Sequence, residues 1–238
     1  MAKHKTAEHV LGEEEARKLK PDQDGVVNIE NGVTEIGFRA FRNRKDVKKI
    51  RIPKSVKTIA AEAFRGSGLE GTLEISETVV EVKSGAFREC KKLKTVIFKQ
   101  KKLKRNRLED EMFMESGIEA VSIPNTVTVI GINAFSGCKN LKKITLPKNL
   151  KIISKNAFSS SGLERVSTPE TVTRIGESAF DSCRFLQTAI LRKGLESIGD
   201  YAFFNSGLWN VSVPESVTDI GKNAFVKKGG QTISFPIQ

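Results

Sequence analysis

In 238 residues the chain has two histidines, one tryptophan and one tyrosine, and each scarcity closes off a class of function. Both histidines, His4 and His9, lie before residue 10, so the body of the chain has no imidazole base and no Ser/His or Cys/His couple. Their five-residue spacing offers no third ligand, which argues against a metal centre. No clustered carboxylate pair and no phosphate-cradling glycine-rich loop is visible, so no catalytic residue, metal ligand or cofactor is assigned and the chain reads as a non-enzyme. With one Trp, one Tyr and no groove-reading motif, nucleic acid is the weakest of the acidic partners considered below. No apolar run has the length of a membrane span, and no uninterrupted apolar stretch follows Met1 as a secretory signal would; the expected location is the cytoplasm.

Phenylalanine, by contrast, is regular. It closes an Ala-Phe pair at Phe41, Phe64, Phe87, Phe135, Phe158, Phe180, Phe203 and Phe225, and Phe113 of Met112-Phe113 fills the remaining place. The intervals are 23, 23, 26, 22, 23, 22, 23 and 22 residues. A self-similar period of this length is the signature of a solenoid in the leucine-rich-repeat range. One unit runs Leu141 to Ser161. Leu141, Ile144 and Leu146 give the alternation of a short strand, and Pro147 ends it, as Pro53, Pro124, Pro169, Pro214 and Pro236 do elsewhere. A second apolar pair follows, such as Val127 and Ile130, and then often a glycine, as at Gly131 and Gly176, which fits a bend or a close backbone approach. The Ala-Phe pair closes the unit, expected as one short helical turn with its Phe inward.

The motif strand-Pro-x-x-Val-Thr-x-Ile-Gly-x-x-Ala-Phe-x-x-Cys, nearly unchanged in Val127 to Cys138 and Val172 to Cys183, resembles the BspA-like (Treponema pallidum-type) leucine-rich repeats. The resemblance covers residues 26 to 238. It implies a β-rich solenoid with a curved parallel sheet on the concave side and short turns or 3-10 segments on the convex side, and proteins of the interaction or adhesion kind, not enzymes. The organisation expected is an N-terminal helical arm or cap over 1–25 and one solenoid of nine to ten units over 26–238.

The units alternate. Those at Phe87, Phe135 and Phe180 continue to Cys90, Cys138 and Cys183; those at Phe64, Phe158 and Phe203 continue to Ser-Gly-Leu, and Phe113 to Ser-Gly-Ile. Cysteines two rungs apart sit about 9 to 10 Å from one another, beyond disulfide reach, so free buried thiols are expected. Unpaired thiols agree with a reducing compartment.

Three places depart from the period. Thr6 to Lys20 is rich in Glu, Lys and Ala and is expected as a short helix anchored by Val10, Leu11 and Leu19, either a cap on the first rung or an arm for a partner. At the far end Thr232 to Pro236 is a strand and its proline with no polar capping segment after it. That end is either tolerated, stacked end to end on another copy, or set against a different protein. Between Phe87 and Phe113 the beat slips, over Lys99, Lys101, Lys102, Lys104, Arg105 and Arg107, and insertions of this kind map to surface loops.

Lys and Arg outnumber Asp and Glu by 40 to 28, a formal net charge of +12, which favours acidic partners. The excess is concentrated in the second, fourth and sixth rungs. On the sheet the outward rows run Arg51, Glu74, Ile97, Ser122, Thr145, Ser167, Ile190, Ser212 and Ser234, beside Lys49, Thr72, Thr95, Ala120, Lys143, Arg165, Thr188, Asn210 and Thr232. Candidate partner-binding residues are the six basic residues of the insertion, Lys49, Arg51 and Lys143 of the rows, and Trp209 as an aromatic anchor. The function read from these features is a non-enzymatic scaffold, a basic rod that binds an acidic protein or filament surface, for example a cytoskeletal assembly. The alternative is a secreted or surface adhesin, as the resemblance implies.

Overall fold

The computed structural model describes residues 8–100 and 103–236. A single repeat cannot bury its own apolar face, so each coils once and lays its side chains on the next. Two short strands form per turn of the coil. The strand before the proline builds a first parallel ladder: Val26–Asn28 pairs with Lys49–Arg51, Gly71–Ile75 with Leu93–Phe98 and Leu93–Phe98 with Ala120–Ser122, and Arg165–Ser167 with Thr188–Ile190. Register follows the outward rows read from the sequence, with Asn28 opposite Arg51, Glu74 and Ser122 opposite Ile97, and Ser167 opposite Ile190. The second apolar pair, which the sequence marks only as buried, builds a second parallel ladder. It runs through His9–Leu11, Val33–Ile36, Thr58–Ile59 and Glu81–Val82, then from Arg107–Leu108 through Val129–Ile130, Ile152–Ile153, Arg174–Ile175 and Ser197–Ile198 to Asp219–Ile220.

The third side of the coil carries the phenylalanines. All nine are buried, and successive rings lie nearly parallel with centroids 5.1 to 5.7 Å apart, in the range of offset stacking. The expected helical turn is corrected here. Asn156 and Ser160, on either side of Phe158, have left-handed φ of 54° and 55°, and the same two places are left-handed in every rung from Phe41 to Phe203, which breaks any helix. Alternate amides bond differently as a result. Ala157, Ser159 and Ser161 close local turns, while Asn156, Phe158 and Ser160 donate along the axis to Glu177, Ala179 and Asp181 of the next rung at 2.8 to 2.9 Å. The glycine after the isoleucine answers to close approach: a Cβ on Gly176 would lie 2.8 Å from backbone atoms of the preceding rung.

The alternation between units is one of tight and wide turns. In Ser-Gly rungs a Cβ on Gly162 would stand 2.0 Å from the Lys139 carbonyl oxygen, so only glycine lets that rung close. The next rung offers a thiol: Cys90, Cys138 and Cys183 donate to the carbonyls of Phe64, Phe113 and Phe158 at 2.9 to 3.0 Å, beside the hydroxyls of Ser67, Ser116 and Ser161. All three cysteines are free and buried.

The ends and the insertion depart from expectation in instructive ways. The arm is a strand followed by a helix of Glu13–Lys18 only, not a helix over 6 to 20. His9–Leu11 extends the second ladder on Val33–Ile36, and Leu11 and Ala16 are buried. Arg44 holds the helix end, donating to the carbonyls of Ala16 and Leu19 at 2.8 and 3.0 Å while it pairs with Asp46. In the slipped repeat, Leu103 takes the buried valine place. One extra residue falls before it and two fall between it and Leu108, where Asn106 turns left-handed. At the far end the strand shifts register by two, pairing Asn210 with Ser234 instead of Ser212. The chain folds back through an antiparallel bridge from Val226 to Thr232, burying Ile233, and Phe235 stacks on Phe225 at 4.8 Å. The last ring is therefore covered from within the chain.

Candidate interaction surface

The first ladder is interrupted, and the interruptions coincide with hollows. Lys49–Arg51 is not paired to Gly71–Ile75, and a hollow of about 500 Å³ there is lined by Lys48, Lys49 and Arg51 with Asp24, Glu70 and Glu74. Further along, Lys143, Ile144 and Thr145 form no strand, and among the described residues their backbone makes no hydrogen bond to either neighbouring rung. A hollow of about 480 Å³ surrounds them, lined by Lys143, Arg165, Thr145, Ser167, Thr188 and the exposed Ile190. Its one acid, Glu119, is paired to Lys94 at 3.1 Å, whereas Lys143 and Arg165 are exposed and have no carboxylate within ion-pair distance among the described residues. Arg165 belongs beside Lys143. The outward row named it, but net charge per residue could not show that it lacked a partner.

The insertion is arranged differently. Lys99 pairs with Glu74 at 3.1 Å, Lys104 with Glu81 at 3.2 Å, and Arg107 with Glu109 and Asp110 at 3.3 and 2.5 Å. Burial raises the pKa of Glu109, and the nearby Arg107 and Arg105 oppose the shift. Arg105 is exposed; Lys101 and Lys102 lie outside the described residues. None of the described insertion residues lines the hollows that hold Lys49 or Lys143. Ion pairs also tie up the arginines around the phenylalanine turns of the first rungs: Glu62 meets Arg39, Arg42 and Arg65, Glu89 meets Arg65 and Arg88, and Arg88 meets Glu111. Burial alone would raise the carboxyls of Glu62 and Glu89, but their arginines outweigh it and hold both below the ordinary range.

Trp209 is 73% exposed, with the Lys227 ammonium 3.7 Å over its ring. It lines neither hollow. Among the described residues no group of three His, Cys, Asp or Glu side chains is placed to hold a metal, and no helix is long and apolar enough to cross a membrane. Burial pushes the thiols of Cys90 and Cys183 up to about 11 and Cys138 to about 12, which makes poor nucleophiles of them.

The sequence profile of the BspA type leucine rich repeat region fits residues 25–105 and 106–230, in six copies. The chain belongs to this BspA-type leucine-rich-repeat family. Among solved structures it is similar to a leucine-rich repeat protein from Bacteroides ovatus at 26% identity and a TM-score of 0.76, covering 89% of this chain and 59% of that one. A Eubacterium ventriosum leucine-rich repeat protein, 23% identical, shares the fold with a TM-score of 0.61 over 84% of this chain and 57% of the other. A leucine rich cell surface protein of Faecalibacterium prausnitzii matches at 26% identity and 0.51, over 89% of this chain and 61% of that one. The chain thus spans about three fifths of the length of these solved structures. No curated protein matches it. The architecture shared with the solved structures is the leucine-rich-repeat solenoid.

Proposed function

We propose that this BspA-type chain is a scaffold that holds an acidic protein surface, such as a filament, against the face of the first ladder. The observation that carries the reading is the pair Lys143 and Arg165. Both are exposed, neither meets a carboxylate among the described residues, and they flank a hollow where the ladder stops bonding. Lys49 and Arg51 extend the same face toward the N-terminal rungs. Cations already paired at the surface gain little from a second anion, whereas unpaired ones in a recess gain more, and this ranks the face above the insertion. The test is affinity capture from native extract with low and then moderate salt, followed by mass spectrometry. A variant carrying K49E, R51E, K143E and R165E is expected to lose an abundant acidic protein that one carrying K99E, K104E and R107E retains. The reverse pattern moves the site to the insertion, and recovery of nuclease-sensitive material instead moves nucleic acid to first place.

A second reading, a surface adhesin, draws support from the cell surface protein to which the chain is similar. Labelling of intact source cells with a membrane-impermeant reagent separates the two: label on this chain favours the adhesin, and its absence favours the internal scaffold.

A further inference from the structure

On the turn side of the coil two neighbouring hollows, which share Lys139 and Ser160 in their linings, differ in the residue that decides what they can hold. One, of about 560 Å³, lies between Lys91 and Lys139 over Ser116 and Gly117, with Glu115 in its lining. The next, of about 390 Å³, lies between Lys139 and Arg184 over Ser160, Ser161, Gly162 and Ser182, with Phe185. Glu115 and Ser160 occupy equivalent places, each two residues past a stacked phenylalanine and each left-handed, at φ 56° and 55°. In the first hollow Glu115 pairs with Lys91 at 3.3 Å. In the second, serine stands where that carboxylate would be. Among the described residues, Lys139 and Arg184 are both exposed with no carboxylate within ion-pair distance.

The neighbouring acid, Asp181, accepts the Ser182 hydroxyl at 2.9 Å, and its burial raises its pKa. The floor offers little to an extended peptide: the amides of Ser160, Gly162, Ser182 and Arg184 already donate to Asp181, Cys138, Phe204 and Ser182. It does offer the exposed Ser160 hydroxyl, the half-buried Ser182 oxygen as an acceptor, two cations and, beside Arg184, a phenylalanine that is 66% exposed. The cations stand two rungs apart, over ring steps of 5.2 and 5.3 Å, a span that one disaccharide covers.

We propose that the hollow between Lys139 and Arg184 binds an acidic oligosaccharide. Its carboxylate or sulfate groups meet the two cations, its hydroxyls meet Ser160 and Ser182, and the apolar face of one ring lies on Phe185. This site is separate from the first-ladder face and does not depend on the reading given for it.

The experiment is calorimetric titration of the full chain with tetragalacturonate and with a sulfated chondroitin tetrasaccharide; cellotetraose and an acidic octapeptide serve as comparators. At least one acidic sugar is expected to bind, and the neutral one not. Ser160→Glu, which rebuilds the Lys91–Glu115 arrangement in a place where glutamate is already tolerated, is expected to weaken binding by about tenfold or more, as is Arg184→Glu. Phe185→Ala is expected to weaken it by about threefold, while K49E with K143E leaves it unchanged. Melting curves confirm that each variant is folded. No binding of either acidic sugar overturns the proposal. So does equal affinity of Ser160→Glu and wild type, which would mean diffuse charge attraction, and so does equal or tighter binding of the octapeptide with the same variant pattern.

Discussion

The Ser161 hydroxyl lies 3.4 Å from the Cys183 sulfur, and that thiol donates to the Phe158 carbonyl at 3.0 Å, so that one buried triangle ties two rungs together behind the phenylalanine stack. Ser67 with Cys90 and Ser116 with Cys138 make the same triangle. Ser206 does not. The place of the next cysteine holds Lys228, and the Ser206 hydroxyl is buried without a partner.

Removing the donor at Cys183 should therefore cost more than its volume implies. Cys183→Val takes the thiol from the Ser161 hydroxyl and leaves the Phe158 carbonyl with the Ser161 amide at 3.0 Å, and it is expected to destabilise by about 1 to 2 kcal/mol, measured by urea unfolding. Ser206→Ala, which deletes an orphan, is expected to be neutral or slightly stabilising.

Thiol reactivity follows from the same burial. With native pKa values of about 11 to 12, the three cysteines are expected to resist a disulfide reagent at pH 8 and to react only after unfolding. Rapid labelling of the native protein would place them at the surface and contradict the packing.

Gly162→Ala tests the tight turn. Its Cβ would meet the Lys139 carbonyl oxygen at 2.0 Å, so backbone must move, at an expected cost of about 1 to 3 kcal/mol. Gly12→Ala, with nothing within 4 Å, should change the melting temperature little.

Much of this was legible in the sequence. The Phe interval, the strand-ending prolines and the Ser-Gly/Cys alternation each mark a position that every rung must fill in the same way, so the coil, its register and its free thiols follow from the period. Pairing between side chains is not periodic. Lys99, Lys104 and Arg107 read as free charge because their acids, Glu74, Glu81 and Asp110, belong to strands and turns whose lateral neighbours the period fixes only approximately across a slip. The shift of Ser234 onto Asn210 was hidden for the same reason: after Val226 the chain leaves the coil, and the period no longer applies.

The arginine–glutamate network of the first rungs predicts a dependence on pH. The carboxyls of Glu62 and Glu89 titrate below their ordinary range when folded, so the stabilisation is full above about pH 4.5 and is lost as pH falls through the lowered values. Melting temperature should drop on acidification, and less steeply in E62Q with E89Q. Identical slopes would show that the network contributes nothing.

The most direct measurement is hydrogen exchange of the chain alone and with its captured partner. The amides of Lys143, Ile144 and Thr145 make no backbone bond and are expected to exchange fast in the free protein. Slowed exchange across 142–146 and at 165–167 on binding is the predicted result. Protection confined to 99–107, with 142–146 unchanged, would contradict it and return the partner to the insertion.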